Sequence, residues 1–365
     1  MGLTIIKPGT SLDFIGKRRF AFIFSAVLIL FSLISLAIDG GPRYGIDFAG
    51  GMIVQVKFDK EIDLSTLNDA VAATGLPGAT VQRFGMEGDR EYLVRMTGSE
   101  TASGDVREAL SAAFGANIPD VPYEIQRLES VGPKVGADLR SQAMEALFYA
   151  TLLIAIYISG RFEQRWFAAG FMALGLAGGI YVLKLVGAPM GAMILGALVI
   201  TLVLCWKLRL NFALGAIISL MHDIVMVVGI FALLNKEFDL TVIAAVLTII
   251  GYSLNDTIIV YDRIRENIRA KSAPTLGEML NASINQTLSR TILTSGTTLL
   301  VIACLFLFGG GVIHDFSLAL LIGIFFGTYS SIFIASPVLL AFGLESFERK
   351  EKPQPRFRPN PEGDV

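Results

Sequence analysis

Eight stretches of the chain stay apolar long enough to cross a bilayer: residues 20–38, 141–160, 166–186, 189–206, 212–234, 239–261, 291–309 and 316–343. A hydrocarbon core about 30 Å thick needs ~20 such residues in a helix, so the pattern predicts eight spans. The second has a short strictly apolar part, Ala146–Ser159, and its helix is expected to begin near Ala137-Asp138-Leu139. The first follows Lys17-Arg18-Arg19 and leads into Asp39-Gly40-Gly41-Pro42 with no small-residue cleavage site, which makes it an uncleaved first helix.

Between the first two spans the period changes. Met52–Phe58 alternates like a strand, as do Ala79–Phe84, Glu91–Met96 and Pro122–Glu129. Asp63–Thr74, with Asp63 or Ser65 as N-cap, and Ser103–Phe114 carry helical spacing. The order βαββαβ is that of the split βαβ, ferredoxin-like unit, expected over residues 44–131. The fold class is therefore a polytopic α-helical membrane protein with one small α+β domain. After the first transmembrane helix at 20–38 and this domain comes a bundle of seven further helices over 137–343.

Lys and Arg sit unevenly in the short loops. One set of ends carries Lys17, Arg18, Arg19, Arg161, Arg165, Lys207, Arg209, Arg263, Arg265, Arg269 and Lys271; the other has Lys236 and Lys184. The positive-inside rule then expects a cytoplasmic N-terminus at 1–19, the α+β domain outside, and a cytoplasmic, disordered tail at 345–365, rich in charge and proline.

Composition agrees with the spans: 53% of residues are hydrophobic and 17% charged, where soluble domains average about 25% charged. A net charge of −2 gives no reason to expect nucleic acid as a partner. Cys205 and Cys304 each lie in an apolar run and are read as buried small hydrophobes; no metal-ligand spacing and no cofactor motif occurs. The α+β segment contains neither Cys nor His, which points to a binding or mechanical module. Small-xxx-small pairs at Gly175/Gly179, Gly187/Gly191 and Gly323/Gly327 suit close helix packing.

Three places break the apolar pattern at depth. Ser219, His222 and Asp223 share one helix face; Asp256 follows Asn255, with Ser253 on its side; Arg290 precedes Thr294, Thr297 and Thr298 at helical spacing. An aspartate mid-membrane costs about 2.5–3.5 kcal/mol on insertion scales, so such residues are functional candidates by default. His222–Asp223 also reads as a structural pair, and the threonines as packing contacts. Asp256 and Arg290 lie on consecutive spans at similar depth, where burial disfavours the charged carboxylate and a guanidinium favours it. That balance suits proton coupling.

These residues fall within longer motifs: Gly45-Ile46-Asp47-Phe48-Ala49-Gly50-Gly51, Val131-Gly132-Pro133-Lys134-Val135-Gly136-Ala137-Asp138, His222-Asp223, Gly251-Tyr252-Ser253-Leu254-Asn255-Asp256, Asp262-Arg263-Ile264-Arg265-Glu266-Asn267, and Thr287-Leu288-Ser289-Arg290-Thr291 through Ser295-Gly296-Thr297-Thr298. In this order the sequence resembles the SecF family, the smaller membrane subunit of the bacterial SecD–SecF accessory complex of the Sec translocase. The resemblance implies an RND-type half-bundle completed by SecD, in the bacterial inner membrane. It also implies use of the proton-motive force to promote export of preproteins. Asp256 and Arg290, with Asn255, match the family's proton path; Gly45, Asp47, Phe48, Gly50 and Gly51 match its outer-domain motif. Implied partners are SecD, the SecYEG channel, YajC or YidC, the unfolded exported polypeptide and protons. The family usually has six spans, so the hairpin at about 166–206, flanked by Arg161–Trp166 and Trp206–Leu210, is surplus.

An RND-type exporter of small molecules or lipids is the alternative, since intramembrane Asp and Arg serve that equally. Such exporters generally carry both halves and two large outer domains in one chain. A scaffold without ion coupling leaves Asp256 unexplained. No nucleophile–base pair or phosphate-binding loop argues for an enzyme.

Overall fold

A computed structural model describes residues 11–38, 40–85, 88–97, 103–163, 166–187 and 190–343. The tail expected at 345–365, residues 1–10 and Arg165 lie outside the described residues.

The α+β unit forms from the predicted elements. β1 (Gly51–Phe58), β2 (Thr80–Phe84), β3 (Glu91–Met96) and β4 (Tyr123–Val131) make an antiparallel sheet in the order β2-β3-β1-β4. This is the ferredoxin-like order, with Val54 opposite Val94 on one side and Leu128 on the other. Alternation places Met52, Val54, Val56 and Phe58 of β1 and Tyr92, Val94 and Met96 of β3 on the covered face. There they meet Leu67, Ala70 and Val71 of α3 (Leu64–Ala72) and Val106, Leu110 and Phe114 of α4 (Ser103–Asn117). Phe58 sits at the centre, its ring 5.7 Å from Tyr92, 5.5 Å from Phe114 and 5.9 Å from Tyr123. The N-cap of α3 is Asp63, which accepts from the Ser65 amide at 3.3 Å. The Ser65 hydroxyl also donates to this exposed carboxyl and holds it below its usual range.

The remaining helices form the bundle: α1 (Arg18–Ile38), α5 (Pro133–Glu163), α6 (Trp166–Leu185), α7 (Met190–Lys207), α8 (Asn211–Leu233), α9 (Leu240–Ala270), α10 (Leu276–Phe308) and α11 (Gly310–Ser330). A π-helical turn, Ser331–Ala335, carries α11 into α12 (Ser336–Phe342), with Pro337, which has no N–H to donate, just beyond it. Among the described residues, seven helices are long and apolar enough to cross a membrane, and Ala192–Lys207 within α7 is a shorter apolar helix. All eight stand where the sequence places spans.

Their ends differ from the expectation. α5 starts at Pro133, four residues before Ala137, α9 runs past residue 261 to Ala270, and α10 begins at Leu276, well before 291. At 31 and 33 residues, α9 and α10 are about 46 and 50 Å long, longer than the ~30 Å hydrocarbon layer. Polar packing continues where hydrophobicity stops: Asn267 donates to Ser283 at 2.8 Å and to Gln286 at 2.9 Å. The segment before α1 straps this end, since Asn281 and Asn285 pair with the backbone of Leu12 and Phe14.

Glycines set the closest approaches. A Cβ on Gly327 would come within 2.9 Å of Ser253, one on Gly323 within 2.2 Å of Ile249, and one on Gly229 within 2.0 Å of Ser32. Gly175 and Gly179 of α6 likewise receive Leu204 and Ile200 of α7, so the surplus hairpin is zipped on itself beside α5 and α8. Cys205 is buried as expected, but Cys304 is exposed on α10. A helix in lipid has no need to turn every apolar side chain inward, so an apolar run does not imply burial.

Residues 44–131, excised, are expected to fold. Phe58→Ala within that fragment should lower its unfolding free energy by about 3–5 kcal/mol in urea titrations. A loss below about 1 kcal/mol would contradict Phe58 as the centre of the core.

Candidate functional site

The helices α1, α8, α9 and α11 meet around one buried carboxylate. Asp223 and its neighbour His222, both in α8, are buried, and His222 Nδ1 lies 3.0 Å from Asp223 Oδ1. Ser253 of α9 donates to Asp223 Oδ2 at 2.6 Å, and Ser330 of α11 donates to the same oxygen at 2.9 Å. Ser219, one turn earlier in α8, donates to Ser330 at 2.9 Å. His222 Nε2 faces Ser25 Oγ of α1 at 3.1 Å, and Ser25 lies 3.1 Å from the Tyr329 hydroxyl, which donates to the Ala21 carbonyl at 2.8 Å. The shared face of Ser219, His222 and Asp223 is thus the joint of four helices. Ser253, expected beside Asp256, points to Asp223 instead.

Asp256 lies one turn further along α9, wholly buried. Its Oδ2 accepts from Ser295 of α10 at 3.0 Å and more weakly from Thr328 of α11 at 3.4 Å, and Thr328 also donates to Ser295 at 2.8 Å. Its Oδ1 has no partner. Among the described residues only Arg95 Nε, Asp256 Oδ1 and Thr291 Oγ1 are buried side-chain polar atoms without one, and the last two flank the α9–α10 seam.

Arg290 and Asn255 are both exposed, on α10 and α9. Arg290 is within electrostatic reach of Asp256 but makes no ion pair with it. From the ends of the helices near the sheet, Asp256 lies about 24 Å along α9 and Arg290 about 27 Å along α10. Thr294, Thr297 and Thr298 each bond to a carbonyl of their own helix, and Thr298 also accepts from Tyr252 at 2.8 Å. Thr298 thus ties α10 to α9.

The glycine-rich motif after α1 builds the joint between sheet and bundle. Tyr44 bridges to Phe238, just before α9, and Gly45 donates to the Phe238 carbonyl at 2.7 Å. Asp47, in the short helix α2 (Ile46–Ala49), accepts from the Leu240 amide at 3.0 Å, at the positive end of α9. Phe48 is buried against the start of α5, where Gly136 meets its backbone. Gly50 and Gly51 have φ of +75° and +130°, and a Cβ would strike the Pro133 backbone at 2.8 Å or the Met96 carbonyl at 2.5 Å. No other residue fits that pair. Lys236 with Asp315 at 2.7 Å braces the same end of the bundle, and Arg95 of β3 pairs with Glu237 across the joint.

Sequence reasoning did not single out Ser25, Ser330, Thr328 or Tyr329. A hydroxyl in an apolar run serves packing as often as a carboxylate, and only the folded helices show which it meets.

A half-bundle of RND type, with a ferredoxin-like domain between its first two spans and carboxylates buried among its helices, is the class this fold and site define. Two family descriptions match: "Protein export membrane protein SecD/SecF, C-terminal" over residues 113–183 and 178–345, and "SecD/SecF GG Motif" over 38–62. Proteins described as "Protein translocase subunit SecF" are 40% identical in Desulfurispirillum indicum, covering 90% of this chain and 91% of theirs, and 38% identical in Pseudomonas aeruginosa, covering 93% and 94%. The crystal structure of the Thermus SecDF, described as a translocon-associated membrane protein, superposes with a TM-score of 0.67 at 30% identity over 93% of this chain. This chain spans 39% of that longer one. The chain belongs to the SecF family of protein translocase subunits, multi-pass membrane proteins.

Removing Asp223 leaves three groups without their shared acceptor in a buried junction. Asp223→Ala is expected to destabilise the purified protein by about 3–5 kcal/mol, read as a fall in thermal unfolding temperature. An unchanged unfolding temperature would remove this junction from the account of the bundle.

Proposed function

We propose that the chain works with SecD in the bacterial inner membrane, using the proton-motive force to promote export of preproteins, and that Asp256 is its proton-carrying group. The observation that carries this reading is the unpartnered Asp256 Oδ1, buried in the seam beside the exposed Arg290 and Asn255. A polar seam facing lipid is unfavourable, because an arginine in hydrocarbon costs several kcal/mol. A partner bundle placed over α9 and α10 relieves that cost. It also brings new groups to a buried carboxyl whose second oxygen is uncommitted. SecD is that partner, as the translocon-associated SecDF chain suggests. The SecYEG channel, with YajC or YidC, and the unfolded polypeptide complete the assembly.

The sheet domain is then extracytoplasmic and both termini cytoplasmic, the arrangement that puts the arginine-rich ends of α5, α9 and α1 inside. Through Asp47 and Phe238 this domain holds the start of α9, the helix that carries Asp256. Protonation of Asp256 that altered α9 packing would act directly on the outer domain. The chain moves protons and polypeptide and makes no covalent change in either.

A reporter active only outside the cytoplasm should work when fused after Gly132 and fail after Lys271; the reverse result rejects this orientation.

Asp256→Asn keeps size and neutral hydrogen bonding while abolishing titration, so insertion and SecD binding should be normal. Gradient-stimulated export into inverted vesicles should fall to the level without the subunit. Arg290→Lys should retain more activity than Arg290→Met, because charge survives. One charge crossing 100 mV is worth about 2.3 kcal/mol, so loss of coupling is readily measured. A wild-type gradient response in Asp256→Asn excludes this residue as the carrier.

A further inference from the structure

His222 and Asp223 are committed by geometry to each other, and their surroundings differ from those of Asp256. Asp223 receives three donors, from His222, Ser253 and Ser330, which together satisfy both carboxylate oxygens. His222 does not end there. Its other nitrogen touches Ser25, and Ser25 touches Tyr329. An imidazole with one nitrogen on a carboxylate and the other on a hydroxyl passes a proton through its ring by changing tautomer.

The heavy atoms accommodate both forms. In the first, His222 Nδ1–H donates to the Asp223 carboxylate and Nε2 accepts from the Ser25 hydroxyl. In the second, Nε2–H donates to Ser25 Oγ, and Ser25 turns its hydrogen to the Tyr329 oxygen. Asp223 is then a neutral acid whose O–H donates back to Nδ1. One proton has arrived at Nε2 and one has left Nδ1 for the carboxylate, so the ring stays neutral. The added proton comes from the medium: it is taken up at Tyr329 as the phenol's own proton passes to Ser25 and that of Ser25 passes to Nε2, after which Tyr329 again donates to Ala21. In each form the polar side-chain atoms of Asp223, His222, Ser25 and Tyr329 lie within reach of a partner.

The position matters as much as the chemistry. Ser253, which holds Asp223, and Asp256 are three residues apart on α9, about 5 Å along its axis. On α11, Ser330 reaches Asp223 and Thr328 reaches Asp256. The π-helical turn begins directly after Ser330, and such turns favour functional sites. The ionisable groups around His222 and Asp223 are Tyr329 of α11, its ring 5.9 Å from the imidazole, and Asp256 of α9. Helix α1 has no ionisable side chain between Arg19 and Ile38, and α5 turns Tyr149 and Tyr157 outward.

We propose that His222 and Asp223 form a second proton station, one turn of α9 from Asp256 and gripped by the same two helices, loaded through the imidazole from the Ser25–Tyr329 side. This rests on the reading of Asp256 as the proton carrier. Asp223 holds a proton in series with Asp256, and the hydroxyls of α9 and α11 that grip the two carboxylates register which one is charged.

The test is infrared difference spectroscopy, acid minus alkaline, on the complex of the full chain with SecD in lipid nanodiscs. Asp256→Asn should remove one buried carboxyl band and leave a second. Adding Asp223→Asn should remove that second band. Adding His222→Gln instead, which retains hydrogen bonding but cannot relay, should keep the band and shift its midpoint by at least one pH unit. In inverted vesicles, His222→Gln alone should lower gradient-stimulated export at least tenfold while insertion and SecD binding stay normal. Superimposable spectra for Asp256→Asn with and without Asp223→Asn overturn the proposal, as does a His222→Gln midpoint equal to the parent's. Should Asp223→Asn fail to insert, the His222→Gln midpoint decides alone. Failure of the Asp256 reading is separately visible, as a carboxyl spectrum and a gradient response unchanged by Asp256→Asn.

Discussion

A carboxylate in a hydrocarbon layer needs from protein the donors that water would have supplied, and in this chain that need organises the bundle. Asp223 obtains its donors from α8, α9 and α11, and His222 extends the network to α1. The glycines follow from it. Ser253 and Ser330 reach one oxygen because Gly327 lets α9 and α11 approach to backbone distance, and α1 lies close to α8 because Gly229 leaves room for Ser32. Without hydrophobic attraction between helices in lipid, such close packing and interhelical hydrogen bonds are what hold spans together. A substitution at Asp223 therefore bears on four helices at once.

Asp256 is built under the same constraint with a different outcome. Two hydroxyls serve one oxygen and none serves the other, while the cation at matching depth, Arg290, faces outward. Asp223 thus has both oxygens engaged at the helix junction, while Asp256 keeps one uncommitted.

The sheet domain meets the bundle at the starts of α9 and α5. Asp47 caps α9, Phe238 is paired with Arg43, Tyr44 and Gly45 just ahead of it, and the Gly50–Gly51 pair fits between Pro133 and Met96 where a side chain would collide. Helix α9 is about 46 Å of continuous hydrogen-bonded backbone. Asp256 and the contacts with the sheet domain thus lie on one continuous helix. The α6–α7 hairpin packs on itself and on α5 and α8.

The sequence by itself determined the elements and their order. Apolar runs too long for a soluble core located all eight spans, period-two alternation with turn residues delimited the sheet domain, and residues as costly in lipid as His222, Asp223 and Asp256 marked their own importance. These are local signals, readable because hydrophobicity and pleat repeat along the chain. The helix ends were not legible, because α9 and α10 continue on polar contacts such as Asn267–Ser283 that pair residues 16 positions apart. Nor was the exposure of Cys304, since lipid and protein interior are equally apolar. Which hydroxyl serves which carboxylate was decided only by the tertiary structure. Ser253 lies three residues from Asp256 yet turns to Asp223, while Thr328, 72 residues away, turns to Asp256. Hydrogen bonds depend on where helices cross, and the crossing is set by glycines whose partners lie far along the chain.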